Sequence, residues 1–209
     1  MIEFRAEAFT PERQRRASQA LRAHVAFDAG TDDDIAYELL SAVTLPPGRY
    51  QLRLTVNALT RRTSGIVELS VEVPDVSESQ LTWSELAFHV APGVVVAGTA
   101  EVRTGLPFVP TTQRIFFPDD IVTTFARLHQ GGGAPLVPVN VAISVIASDG
   151  TTAWEQIELL RAERFVVARG ADVLASVPVA DLEPGVYRLR LESRLNGISS
   201  VREARFTVR

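Results

Sequence analysis

The sequence predicts an all-β chain built as two tandem β-sandwich domains. Three observations carry that expectation. A ten-residue turn-and-strand motif occurs twice, apolar residues alternate with polar ones along most segments, and Gly, Pro, Asn and Asp punctuate the segments at short intervals. Leu45-Pro46-Pro47-Gly48-Arg49-Tyr50-Gln51-Leu52-Arg53-Leu54 returns as Leu182-Glu183-Pro184-Gly185-Val186-Tyr187-Arg188-Leu189-Arg190-Leu191, with seven of ten positions identical. The offset of 137 residues is too long for a solenoid period and suits two copies of one domain. A Leu-x-Pro-Gly-x-Tyr turn that feeds an alternating strand looks like the tyrosine corner of an immunoglobulin-like or fibronectin III-like sandwich. Tyr50 and Tyr187, with Gly48 and Gly185 two residues before them, are therefore expected to be structural, their hydroxyls bonded to nearby backbone.

Each element follows from its own pattern. Ile2 to Phe9 alternates apolar and charged residues, as a half-buried strand does. Residues 10–27 fit either a capped helix or a strand; the surrounding strands favour a hairpin with a strand over about 19–27. Asp28 to Asp34 is a polar turn, and Ile35, Tyr37, Leu39 and Val43 continue as a strand. Tyr50, Leu52, Leu54 and Val56 share one face after the corner, and Val67, Leu69, Val71 and Val73 return the chain. Pro74 ends the pairing, since proline cannot donate to a ladder. In 77–111, Leu81 to Val90 reads as one strand within a connecting region.

The later part reads as a complete set of seven strands, the number an immunoglobulin-like sandwich needs. They are expected at 114–117, 121–129, 137–145, 152–160 and 173–179, then from Tyr187 to Ser193, and finally on the strand bearing Ala204, Phe206 and Val208. Asp149-Gly150 and Asn196-Gly197 are tight hairpin signals. The expected organisation is a first sandwich over 1–76, a connecting region over 77–111 and a second sandwich over 112–209. The first shows about five strands and is expected to lack its opening ones, because the chain enters a strand at once.

Composition removes several function classes. A net charge of −4 with scattered arginines lacks the concentrated basic face that nucleic acid requires. Lysine is absent, and Arg188 and Arg190 alternate with leucines as the wet face of a sheet. Cysteine is absent, so disulfides, thiolate metal sites and thiol nucleophiles are excluded. The sequence contains neither an apolar run long enough to span a bilayer nor a signal-peptide pattern.

Four segments together resemble a known family. They are Leu45 to Tyr50, Val71-Glu72-Val73-Pro74-Asp75, Val109 to Phe116 and Asp119 to Gln130. They are similar to the C-terminal region of large bacterial proteins, common in acidobacteria, that carry a von Willebrand factor A-related domain ahead of β-sandwich modules. The Asp-x-Ser-x-Ser metal site of the A-type domain does not occur here. The resemblance implies a secreted or envelope-associated parent protein and an accessory, non-catalytic role for this portion. Its implied partners are the protein's own upstream domain or an envelope protein.

Asp28, Asp32, Asp33 and Asp34 form the calcium candidate, since calcium takes six to eight oxygens; the competing reading is a solvated turn. His24, His89 and His129 stand far apart and would have to converge with carboxylates to act as metal ligands or bases. Gly131-Gly132-Gly133 lacks the Lys and Ser/Thr of a phosphate loop. Trp83 and Trp154 are the candidates for stacking on a sugar, although Trp83 would equally suit a plug between domains. No catalytic residue and no cofactor are expected. The expected function is a spacer, scaffold or protein-interaction module, with carbohydrate binding as the alternative and hydrolysis third. An exposed sheet edge in the first domain would favour a dimer.

Overall fold

A computed structural model describes residues 1–24, 37–60, 62–98 and 105–209. The described elements are fifteen strands and two single-turn 3-10 helices, Ala162–Arg164 and Val179–Asp181, so the chain is all-β as expected. It divides into two compact units. The first comprises Met1–Asp75 and Val94–Pro107, the second Val76–Gly93 and Phe108–Arg209.

In the first unit β1 (Ile2–Phe9), β2 (Arg15–Ala23), β4 (Gly48–Ala58) and β5 (Thr63–Val73) form an antiparallel sheet in the order β2-β1-β4-β5. A second, two-stranded parallel sheet pairs β3 (Tyr37–Leu40) with β8 (Val95–Gly98). The β1–β2 hairpin replaces the helix alternative for 10–27. Its strand begins earlier than expected, at Arg15, and the expected tail at 25–27 lies outside the described residues. The helical reading fails because Ala17, Gln19, Leu21 and Ala23 pair in alternate register with β1. Phe4, Ala6, Ala8 and Tyr50 are buried, while Leu52, Leu54 and Val56 are only half-covered. Little of β5 is buried: Ile66 is 63% and Val67 59% exposed.

The second unit is a sandwich. One sheet places β10 (Ile121–His129) between β13 (Gly170–Val177) and the short strands β6 (Thr82–Trp83) and β7 (Ala87–Ala91). The other runs β12 (Thr152–Leu160), β11 (Val139–Ala147), β14 (Gly185–Leu195), β15 (Ile198–Val208) and β9 (Ile115–Phe116), with β9 parallel to β15. Inward residues at period two, such as Val139, Val141, Ile143 and Val145 of β11, close the core between the sheets. Rings continue through it: Phe88 stacks on Phe116, Phe116 meets Phe206, and Phe206 stacks on Tyr187 at 5.6 Å.

The expected connecting region is divided differently. Residues 76–93 belong to the second unit, because Leu81, Trp83, Phe88 and Val90 are core residues there and β6 and β7 pair with β10. The single strand expected over 81–90 is two, broken at 84–86. The chain therefore passes between the units three times, at residues 75–76, 93–94 and 107–108.

Candidate functional site

The repeated corner has the geometry its sequence implies. Tyr50 donates its hydroxyl to Pro46 O at 2.9 Å, and Tyr187 donates to Glu183 O at 2.7 Å. Both rings are buried and both reach back four residues, which pins the turn that launches β4 and β14. Gly48 has φ +147°, a region open to glycine, and a Cβ there would meet the Tyr50 ring at van der Waals distance.

A hollow lies beside each corner. In the first unit it measures about 540 Å³ and is lined by Pro11, Arg49, Tyr50, Gln51, Ser70, Val71 and Glu72. In the second it measures about 230 Å³, and its lining includes Val186, Tyr187, Arg188 and Arg205 with the Ile146–Gly150 turn. The repeat thus carries a concave surface as well as a turn.

A third concavity, of about 280 Å³, involves Arg127, Asp172, Arg164 and the exposed Val166 and Val167. Arg127 and Asp172 face each other across β10 and β13, and their side chains form a bidentate pair with Nε–Oδ1 2.5 Å and Nη2–Oδ2 3.1 Å. That carboxylate raises the Arg127 pKa above the usual arginine value. Arg164 donates to Asp172 O at 2.8 Å. Gly170 stands opposite His129, where a Cβ would come within 2.8 Å of Arg127 Cδ. His129 Nδ1 lies 3.3 Å from Ala168 O, and burial pushes its pKa below the ordinary histidine value. The Val166–Val167 rim is held by a two-residue turn in which Ala168 and Arg169 both have positive φ. Arg169 steadies that turn by donating to Gln130 O and Ala134 O.

These groups are ion pairs and backbone anchors. The arrangement offers a charged, apolar-rimmed surface. Asp172 is engaged by two arginines, through its carboxylate and its backbone carbonyl, and His129 uses Nδ1 on the backbone.

The three histidines do not come together. His24 is exposed at the end of β2, in the first unit. His89 bonds Val109 O at 2.9 Å and stacks on Phe108. It pairs with Thr123, six residues along β10 from His129, a separation of roughly 20 Å at the usual strand rise. Among the described residues no cluster of His, Asp or Glu could hold a metal ion. Asp28, Asp32, Asp33 and Asp34 lie outside the described residues.

Trp83 is corrected from a sugar platform and a domain plug to a core residue. It is 1% exposed, and its indole N–H donates to Ser200 O at 3.2 Å, so neither ring face is open. Trp154 is half-buried against the same core and keeps an exposed part. The glycine run has a packing role. Gly131 N–H donates to Ser79 O and Gly132 N–H to Ser77 O, and a Cβ on Gly131 would come within 2.3 Å of two carbonyl oxygens.

Two features escaped the sequence reading: the Arg127–Asp172 pair and the opposition of Arg188 to Arg205. The first joins strands distant in sequence, with no local signal. The second was accessible, because counting outward from the Asn196-Gly197 turn sets these two arginines face to face.

No family model matches the chain, and no curated protein matches it. Solved structures similar to it include dimeric latent PorU from Porphyromonas gingivalis, at 13% identity and a TM-score of 0.34 over 78% of this chain and 12% of that one. A beta-glucuronidase from Bacteroides uniformis aligns at 10% identity and a TM-score of 0.39, over 99% of this chain and 24% of its own. Beta-glucuronidase 2 of the same organism aligns at 11% identity and 0.38, with the same coverage. The chain spans under a third of the length of each of these proteins.

Proposed function

We propose that the chain is a non-catalytic β-sandwich module of a larger secreted or envelope protein, acting as spacer, scaffold or protein-interaction region. One observation carries the reading: the groups able to do chemistry are engaged in holding the fold. Both corner tyrosines, Trp83, His89 and His129 bond backbone carbonyls, and Asp172 is clamped by arginines. The resemblance to proteins with a von Willebrand factor A-related domain is in keeping with an accessory module outside the cytoplasm.

The interaction surface we favour is β5. Among the described residues it ends its sheet; it runs eleven residues and exposes Ile66 and Val67, so an extended strand could pair along that edge. A second copy of the chain is the simplest source of such a strand. Sedimentation of the full chain across a concentration series tests this. Dimer formation that Val67→Lys abolishes is the expected result, and a monomer at every concentration would remove β5 as the contact.

Carbohydrate binding is kept as a second reading because Trp154 is partly exposed beside the β12 edge. It would be favoured by glycan retention that Trp154→Ala abolishes with the fold intact. Turnover of a glycoside or peptide substrate that Asp172→Asn eliminates would overturn the non-catalytic reading itself.

A further inference from the structure

The two hollows beside the repeated corners occupy equivalent places and differ in charge. Along the strand after each corner, Gln51 of the first copy corresponds to Arg188 of the second. Across the following hairpin, Gln51 faces Ser70 and Arg188 faces Arg205. In the first unit that facing pair is neutral and satisfied, since the Ser70 hydroxyl donates to Gln51 Oε1 at 2.9 Å. In the second unit two arginines are cross-strand partners, and like charges at directly opposed positions destabilise a sheet when nothing lies between them.

The surroundings neutralise this pair only in part. Glu203, on that sheet face, is shared: Arg188 Nε lies 3.5 Å from Oε1 and Arg190 Nη1 3.3 Å from the same oxygen. Glu192 is held by Arg190 and Arg194. Asp149, on the adjoining turn, accepts from the Thr151 N–H and hydroxyl. Among the described residues no carboxylate lies within 4.0 Å of the exposed Arg205. The Arg188 Nε is buried without a hydrogen-bond acceptor. Arg188, Arg190 and Arg194 thus engage Glu203 and Glu192, Glu155 lies farther along the same face opposite Ser144, and Arg205, at the hollow, is the arginine left without an ion pair among the described residues. Its floor is the cross-strand row Ile146, Arg188, Arg205, and its wall includes Ser148 and Gly150.

We propose that this hollow is an oxyanion site, in which Arg188 and Arg205 hold a carboxylate, sulfate or phosphate group of a ligand between them. Guanidinium suits this use because it is always charged and presents paired N–H donors to such groups. The site is independent of the reading of the chain as a scaffold, and it would stand if that reading fell. The first unit is its internal control, with the same corner and hollow and an uncharged pair at the floor.

The test uses the full chain and three probes, sodium sulfate, sodium phosphate and sodium glucuronate, titrated at constant ionic strength against chloride. Binding is read by chemical shifts of the arginine Nε–H groups and by calorimetry. At least one probe is expected to saturate the Arg188 and Arg205 signals. Arg205→Gln is expected to weaken it at least tenfold, and Arg49→Gln in the first unit to leave it unchanged. The double variant Arg188→Gln with Arg205→Ser copies the neutral pair of the first unit and is expected to fold without responding to any probe. A preference for glucuronate would assign a planar carboxylate, and a preference for sulfate or phosphate a tetrahedral group. The proposal is overturned if no probe differs from chloride, if Arg205→Gln binds as the parent does, or if Arg49→Gln weakens binding equally.

Discussion

Tyr187 and Tyr50 make the same bond in different surroundings. The Tyr187 ring stacks on Phe206 inside a closed aromatic chain, whereas Tyr50 faces Val71 on a sheet whose apolar face is half-covered. Removing either hydroxyl deletes one part-buried hydrogen bond, at a cost of about 1 kcal/mol. Tyr187→Phe is therefore expected to lower the urea stability of the second unit by that amount while leaving the first unit unchanged. Trp83 behaves differently. Cutting a fully buried Trp to Ala costs about 3–5 kcal/mol, so Trp83→Ala is expected to unfold the second unit before any ligand assay can be read. His129 adds a pH dependence. Burial holds its folded pKa below the unfolded value of about 6.5, so the unfolded chain takes up the proton first as pH falls. Stability is then full above about pH 6.5 and declines below it, levelling once the folded ring is protonated. Urea midpoints from pH 7.5 to 5 are expected to fall less steeply in His129→Gln, and an unchanged slope would contradict this cause.

Among the elements, local signals were read well and non-local ones poorly. The hairpins at Asp149-Gly150 and Asn196-Gly197 announce themselves, since turn residues fix both the reversal and the register. The strand expected at 121–129 is observed at Ile121–His129, and that expected at 152–160 at Thr152–Leu160. The parallel pairs β9–β15 and β3–β8 have no turn to signal them and were not legible. The 81–90 segment misled because strands of two and five residues are too short for a periodic pattern to separate them from a linker. Two loops give expected outcomes. Gly131→Ala drives a Cβ into the Ser79 and Val76 carbonyls and is expected to cost about 1–3 kcal/mol by thermal unfolding. The Ala168-Arg169 turn needs positive φ at both centres, which Asn and Gly tolerate better than Ala. Ala168→Asn is therefore expected to raise stability, by a few tenths to about 1 kcal/mol.

At the scale of the molecule, the sequence repeat implied two similar domains, and the structure holds two units of unequal coverage. The second has a continuous core from Leu81 to Val208, while the buried apolar residues described in the first are Phe4, Ala6, Ala8 and Tyr50. Apolar burial sets most of the stability difference between such units. The first unit is therefore expected to melt before the second. Both tryptophans of the chain, Trp83 and Trp154, lie in the second unit, so indole fluorescence reports that unit alone. Far-UV circular dichroism reports the strands of both. The most direct measurement follows both signals through one urea titration of the full chain. The expected result is a biphasic dichroism curve whose later phase coincides with the fluorescence change. A single transition shared by both signals, or fluorescence moving with the earlier phase, would contradict a thinner first unit and the placement of Trp83 in the core of the second.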